Sequence, residues 1–106
     1  MAAGQGHPGA QANLGSAYYN GQGIARDVSK AAEWYRKAAE QGHARAQFSL
    51  GYMCEKGEGV PRDSAQATEW YRRAANQEYA PAVAALALIQ RETSGDEDHT
   101  ALPQTH

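Results

Sequence analysis

Residues 6–41 read GHPGAQANLGSAYYNGQGIARDVSKAAEWYRKAAEQ, and residues 42–77 read GHARAQFSLGYMCEKGEGVPRDSAQATEWYRRAANQ. Laid over one another without a gap, the two stretches agree at 18 of 36 positions. A pattern repeated at a period of roughly 20–50 residues marks a solenoid. Each unit of a solenoid buries its apolar face against the next, and function lies on the shared surface rather than in one deep pocket.

The copies can be read physically. Ala10, Leu14, Ala17 and Tyr18 fall at i, i+4, i+7 and i+8, one face of a helix over about 8–20. Pro8 suits its first turn and Gly21 its end. Ala46, Leu50, Met53, Cys54 and Gly57 repeat the scheme and predict a helix over about 44–56. Gly15 and Gly51 sit mid-helix, where glycine costs about 1 kcal/mol against alanine. Their presence in both copies predicts a second helix in close approach. Gly21-Gln-Gly23 and Gly57-Glu-Gly59 read as turns, and Asp27 and Asp63 as N-caps of helices over about 28–41 and 64–77. Those helices face inward with Ala31, Trp34, Tyr35 and Ala38, and with Ala67, Trp70, Tyr71 and Ala74. Glu33 with Arg36 and Lys37, and Glu69 with Arg72 and Arg73, offer i,i+3 and i,i+4 pairs on the solvent side. A third unit opens at Glu78, and Ala82, Leu86, Leu88 and Ile89 predict a fifth helix over about 80–92. The solenoid is thus expected to span 1–92. The remainder, TSGDEDHTALPQTH over 93–106, reads as a flexible tail of turn formers and acids.

Composition sets the outer bounds. A chain of 106 residues is at most one small domain, and stacking spares it the need for one large core. A net charge of −2 argues against a dedicated nucleic-acid binder. The lone Cys54 excludes an internal disulfide. No apolar run reaches the length of a membrane span. The opening MAAGQGHPG lacks the basic and apolar regions of a signal peptide, which assigns the chain to the cytoplasm by default. Residues 2–5, AAGQ, align with the ends of both repeats, so the chain is expected to be a fragment. A longer parent carrying a signal would place it in the periplasm or outside the cell.

The series A-x-x-x-L-G-x-x-Y-x-x-G-x-G-(I/V)-x-x-D-x-x-K-A-x-x-W-Y-x-K-A-A-x-x-G, carried by Ala10, Leu14-Gly15, Tyr18, Gly21, Gly23, Asp27, Ala31 and Trp34-Tyr35, resembles the Sel-one-like repeat family. This family is related to the tetratricopeptide repeats, from which it differs in its longer Gly-x-Gly turn. The resemblance covers about nine-tenths of the chain, with whole repeats at 6–41 and 42–77 and a partial one at 78–92. Cys54 departs from the usual aromatic, Ala25 stands where Pro61 is common, and Glu78 replaces the linking glycine. The resemblance implies an all-α fold, a right-handed α/α superhelix of antiparallel helix pairs. It also implies a non-enzymatic adaptor role in protein complexes. Members act in bacterial signalling, host interaction, envelope assembly and eukaryotic membrane-protein degradation.

The resemblance further implies a concave groove lined by the first helix of each repeat. Its positions are Gly9, Ala12, Ser16, Tyr19 and Asn20 in the first unit. The second contributes Arg45, Phe48, Tyr52, Glu55 and Lys56, and the third Ala84, Leu88, Arg91 and Glu92. The two full copies differ at every one of these positions while agreeing at Ala10/46, Leu14/50 and Gly15/51. Shared residues then build the stack, and differing ones are free to serve a protein or peptide partner. Phe48 and Tyr52, one turn apart, would join Tyr19 in an aromatic strip beside Arg45, Lys56 and Arg91; aromatics and arginine commonly anchor interfaces. The alternative for Phe48 is packing between repeats, where Ala12 and Ala84 leave room.

Other chemistry is poorly supported. Some cysteine-rich relatives are linked to β-lactam binding or hydrolysis, but the chain has neither S-x-x-K nor G-x-S-x-G, and Ser49 has no neighbouring lysine. No catalytic residue and no cofactor are expected. His7 and His43 recur in register at the turns before the helices, where capping or exposure to water is expected, and the further ligands of a metal site are missing. Arg26, Arg36–Lys37, Arg62 and Arg72–Arg73 read as a solvated face rather than a nucleic-acid surface. Cys54 reads as a small buried residue. The rival to the groove is assembly through the ends. The fifth helix has no second helix to cover Leu86 and Ile89, and a few hundred Å² of exposed apolar surface, at roughly 25 cal/mol per Å², would drive self-association by several kcal/mol.

Overall fold

The computed structural model describes the backbone of residues 6–101 and the side chains of residues 6–91. It comprises five helices: α1 (Pro8–Asn20), α2 (Val28–Glu40), α3 (Ala44–Lys56), α4 (Ser64–Ala75) and α5 (Ala80–Ala101). Among the described residues there is no strand. The helices pack in sequence, α1 on α2, α2 on α3, α3 on α4 and α4 on α5, as an α/α superhelix of antiparallel pairs.

Most of the local chemistry recurs in both repeats. Pro8 occupies the first turn of α1. The Asp27 carboxylate accepts from the Lys30 N–H at 3.1 Å, and Asp63 accepts from Gln66 at 3.0 Å. Each cap satisfies an otherwise orphaned donor. Gly21 and Gly57 close α1 and α3 with φ of 70° and 71°, donating to Ala17 and Met53. Arg26 and Arg62 reach back from the turns, their Nε atoms donating to the carbonyls of Tyr19 and Glu55 at 2.7 and 3.2 Å. Their recurrence thus has a structural cause: they cap the C-terminal carbonyls of the helices before them.

Gly15 and Gly51 are the points of closest approach. A Cβ at either would lie 2.9 Å from a tyrosine Cδ1, that of Tyr35 or of Tyr71. Glycine is required by the ring that crosses it, and helix propensity is sacrificed for the contact. Around these crossings Ala31, Ala38, Ala46, Leu50, Met53, Cys54, Ala67, Tyr71 and their neighbours form one buried cluster. Trp70 belongs to it at 5% exposure, while its repeat-mate Trp34 does not. The second repeat has a helix against it on each side, α2 and α5, whereas among the described residues the first has no helix before it and meets α3 and the turn that follows it.

Paired glutamines add a polar element that periodicity did not reveal. Gln11 and Gln47 are buried on α1 and α3. Gln41 donates to the Gln11 side chain at 2.6 Å, and Gln77 to that of Gln47 at 3.1 Å. Gln47 in turn donates to the Ala39 carbonyl at 3.1 Å, which ties the second repeat to the end of α2.

Several expectations need correction. Helix α5 runs to Ala101 rather than ending near Glu92, so residues 93–101 are helical and not an unstructured tail. Nothing in residues 93–101 forbids helical dihedrals; the next proline, which lacks the backbone donor and also restricts the residue ahead of it, is Pro103. Residues 102–106 lie outside the described residues. Ala12, placed in the groove by resemblance, is fully buried in the core. Glu33 forms no ion pair with Arg36 or Lys37. Lys37 instead lies 5.0 Å over the Trp34 ring, and only Glu69 makes the expected pairs, with Arg72 and Arg73 at 3.3 Å.

Candidate functional site

The first helices of the repeats bring together residues from two units. Tyr19 near the end of α1 and Phe48, Ser49, Tyr52 and Met53 of α3 surround an apolar cleft, with Tyr35 of α2 behind it. The cavity is about 100 Å³. Three of the residues assigned to the groove, Tyr19, Phe48 and Tyr52, therefore meet at one place. Tyr35, Ser49 and Met53 were not foreseen there. Tyr35 and Met53 occupy buried core positions in the repeat and also line the cleft.

Each aromatic is held differently. Phe48 is half-buried, its ring centroid 5.5 Å from that of Tyr71 and 5.9 Å from that of Tyr79. It packs against Tyr71 of α4 and against Tyr79, just before α5, and also lines the cleft. Tyr52 is 38% exposed, with the Lys56 ammonium 5.7 Å from its ring centroid. Tyr19 donates its hydroxyl to Glu58 at 2.5 Å, and the Arg26 guanidinium lies 5.4 Å from its ring centroid. The bond to Glu58, with burial as the second cause, pushes the Tyr19 phenol up to about 12. Tyr71 donates likewise to Glu55 at 2.6 Å. Its phenol is also raised, first by burial and then by that bond.

Other groove residues are engaged in the stack. Arg45 donates to Ser16 at 3.0 Å and Asn13 at 2.8 Å, latching α3 to α1. The Ser16 hydroxyl also meets the Tyr35 hydroxyl at 2.8 Å. Glu55 serves Tyr71. Asn20, Lys56, Leu88 and Arg91 are exposed and do not line the cleft, and Leu88 is 55% exposed on α5. The tyrosine–carboxylate bonds and the Arg45 latch join residues far apart in the chain, so the repeat pattern carried no signal for them. The glutamine pairs did leave one, since Gln11/47 and Gln41/77 are identical in the two copies.

The remaining candidates are structural. The His43 Nδ1 accepts from the Ala46 N–H at 3.2 Å and caps α3, whereas His7 is exposed and makes no side-chain cap. Burial first, and then the Arg45 charge, lower the His43 pKa. Cys54 is buried, and burial pushes its thiol up, away from reactivity. Among the described residues no group of three His, Cys, Asp or Glu converges as metal ligands would, and no helix is long and apolar enough to cross a membrane.

Known structures place this geometry in context. A Sel1 repeat protein from Oxalobacter formigenes is 42% identical with a TM-score of 0.81, over 84% of this chain and 37% of that one. A protective antigen of uropathogenic Escherichia coli displaying an SLR fold is 45% identical with a TM-score of 0.70, over 72% of this chain and 16% of the antigen. The Helicobacter pylori cysteine-rich protein B is 29% identical with a TM-score of 0.72, over 76% of this chain and 60% of that protein. This chain thus spans less than two thirds of each. Among curated protein sequences no match is found. The Sel1 repeat model matches residues 8–43 and again 44–79, which places the chain in the Sel1-repeat family.

Proposed function

We propose that this chain is a non-enzymatic binding module that takes a segment of another protein along the face formed by α1, α3 and α5, anchored in the cleft between Tyr19 and Tyr52. Sel1 repeats are generally protein–protein interaction modules without catalytic activity. The observation that supports this site is the convergence of Tyr19, Phe48 and Tyr52, from two repeats, on one apolar cleft. Aromatic anchors over a dry pocket are where binding energy concentrates. The anchors are also held in place before any partner arrives, Tyr19 by Glu58 and Phe48 by Tyr71 and Tyr79, which lowers the ordering cost of association.

Assembly through α5 is the weaker reading. Val83 and Leu88 are 48% and 55% exposed on that helix. A stripe along the 22 residues of α5 is about 33 Å long and ~10 Å wide, or about 330 Å² per copy. Stable interfaces bury roughly 600 Å² or more on each side.

The test is capture of partners from native cells with the wild-type chain and with Tyr52→Ser, a surface change that spares the core. We expect at least one stoichiometric partner to be lost with the variant. Retention of every partner by Tyr52→Ser would refute the cleft as the anchor.

A further inference from the structure

We infer that the cleft recognises an acidic–apolar segment: one side chain of leucine or methionine size in the cavity, with an aspartate or glutamate within a residue or two of it. This deepens the proposed function and rests on the cleft being the binding site.

The size comes from the cavity. A volume of about 100 Å³ walled by Tyr19, Tyr35, Phe48, Tyr52 and Met53 suits one aliphatic side chain, not an aromatic pair or a folded surface. Ser49 completes the lining.

The charge preference comes from how the surrounding ions are already used. Two carboxylates lie nearby, and both are engaged: Glu58 accepts from Tyr19 and Glu55 from Tyr71. The cations are engaged less fully. Lys56 makes only its ring contact with Tyr52, which leaves its ammonium protons for an incoming acceptor. Arg26 uses Nε for the Tyr19 carbonyl, and both its terminal nitrogens remain. A planar guanidinium with two remaining donors suits a carboxylate, and pairing of that kind is charge-assisted. Both cations lie within 6 Å of rings that wall the cleft, 5.7 Å for Lys56 and 5.4 Å for Arg26. A partner carboxylate beside its apolar anchor therefore meets two cations with donors to spare, while each nearby carboxylate already has one oxygen engaged by a tyrosine.

The experiment is selection of a random dodecapeptide library on the full chain. Isolated peptides are then assayed by fluorescence polarisation and mapped by amide shifts. The expected outcome is enrichment of Asp or Glu within two residues of Leu or Met, with shifts at Tyr19, Phe48 and Tyr52. Lys56→Gln should weaken these peptides about threefold, and the double variant with Arg26→Gln about tenfold. Arg62→Gln removes the same carbonyl cap in the second repeat and serves as the control for helix-end effects; it should leave binding unchanged. Peptides that map to the cleft but are neutral or basic, or that bind Lys56→Gln undiminished, overturn the acidic–apolar inference and leave the cleft as the site. Peptides that map elsewhere, or no enrichment at all, overturn both.

Discussion

Adding one methyl group at Gly51 tests the packing logic of the whole stack. Helix propensity alone predicts that Gly51→Ala stabilises α3 by about 1 kcal/mol. The structure predicts the opposite. The new Cβ would lie 2.9 Å from Tyr71 Cδ1 and 3.1 Å from the Ala67 carbonyl oxygen. The ring is fully buried and hydrogen-bonded to Glu55, and the carbonyl is backbone, so neither yields without moving α4. Overpacking of this kind costs about 1–3 kcal/mol. After the gain in propensity is deducted, the net loss is on the order of 1 kcal/mol, or a fall in Tm of about 4–8 °C for a chain of this size. Gly15→Ala meets Tyr35 at the same 2.9 Å, its three nearest atoms all belonging to that ring, so its loss should be no larger. Gly9→Ala is the matched control. It lies in the first turn of α1 with nothing within 4 Å of its Cβ, and should be neutral or stabilising by up to about 1 kcal/mol. Thermal and urea unfolding followed by circular dichroism would rank the three. The reasoning fails if Gly51→Ala is as stable as the parent, because the ring would then not be fixed against the helix.

Three further outcomes follow from local chemistry. Glu78 sits at φ 63°, where Gly42 does the same work at φ 91° after the preceding repeat. Glu78→Gly should raise stability by up to about 1 kcal/mol in urea unfolding, since left-handed dihedrals cost an L-residue about 1–2 kcal/mol and glycine returns part of that as chain entropy. His43 caps α3 through an unprotonated Nδ1, and its pKa is lowered. The unfolded state therefore takes up the proton first as pH falls, so this cap stabilises fully above the ordinary histidine range and fades below it. His43→Asn should retain a cap and flatten the stability profile between about pH 7 and 5. Tyr19 should ionise near 12 in an ultraviolet titration. Between the ordinary tyrosine value near 10 and that point the folded chain holds a proton the unfolded chain has lost, so stability falls as pH rises. Glu58→Gln should bring the titration of Tyr19 down toward its ordinary range.

Much of the fold was legible because the sequence repeats itself. The Pro8, Gly21, Asp27 and Gly57 signals act within one turn of chain, and α1 and α3 have the expected bounds. Gly15 and Gly51 announced a close crossing because nothing else justifies a glycine in both helices. The end of α5 was not legible, since a stretch such as Thr93-Ser94-Gly95 has weak preferences and no proline until position 103. The cleft was legible in part. Tyr19, Phe48 and Tyr52 stood out as differences between otherwise matching copies. Tyr35 and Met53 did not, because a residue can be core in one direction and wall in another.

The sequence by itself determined the repeat unit, its caps and its turns, since each cap and turn depends on residues a few positions apart, and it marked the crossing points by a glycine repeated in both first helices. Tertiary structure alone decided how equal residues came to differ. Trp34 and Trp70 are the same residue in the same frame, yet only the second, whose repeat has a helix against it on each side, joins the buried cluster. Glu58 finds Tyr19 across 39 positions, and Arg45 finds Asn13 across 32. Such contacts depend on where one repeat sits on the next, a placement held by bonds such as Gln47 to the Ala39 carbonyl and Arg45 to Ser16 and Asn13, which no local pattern encodes.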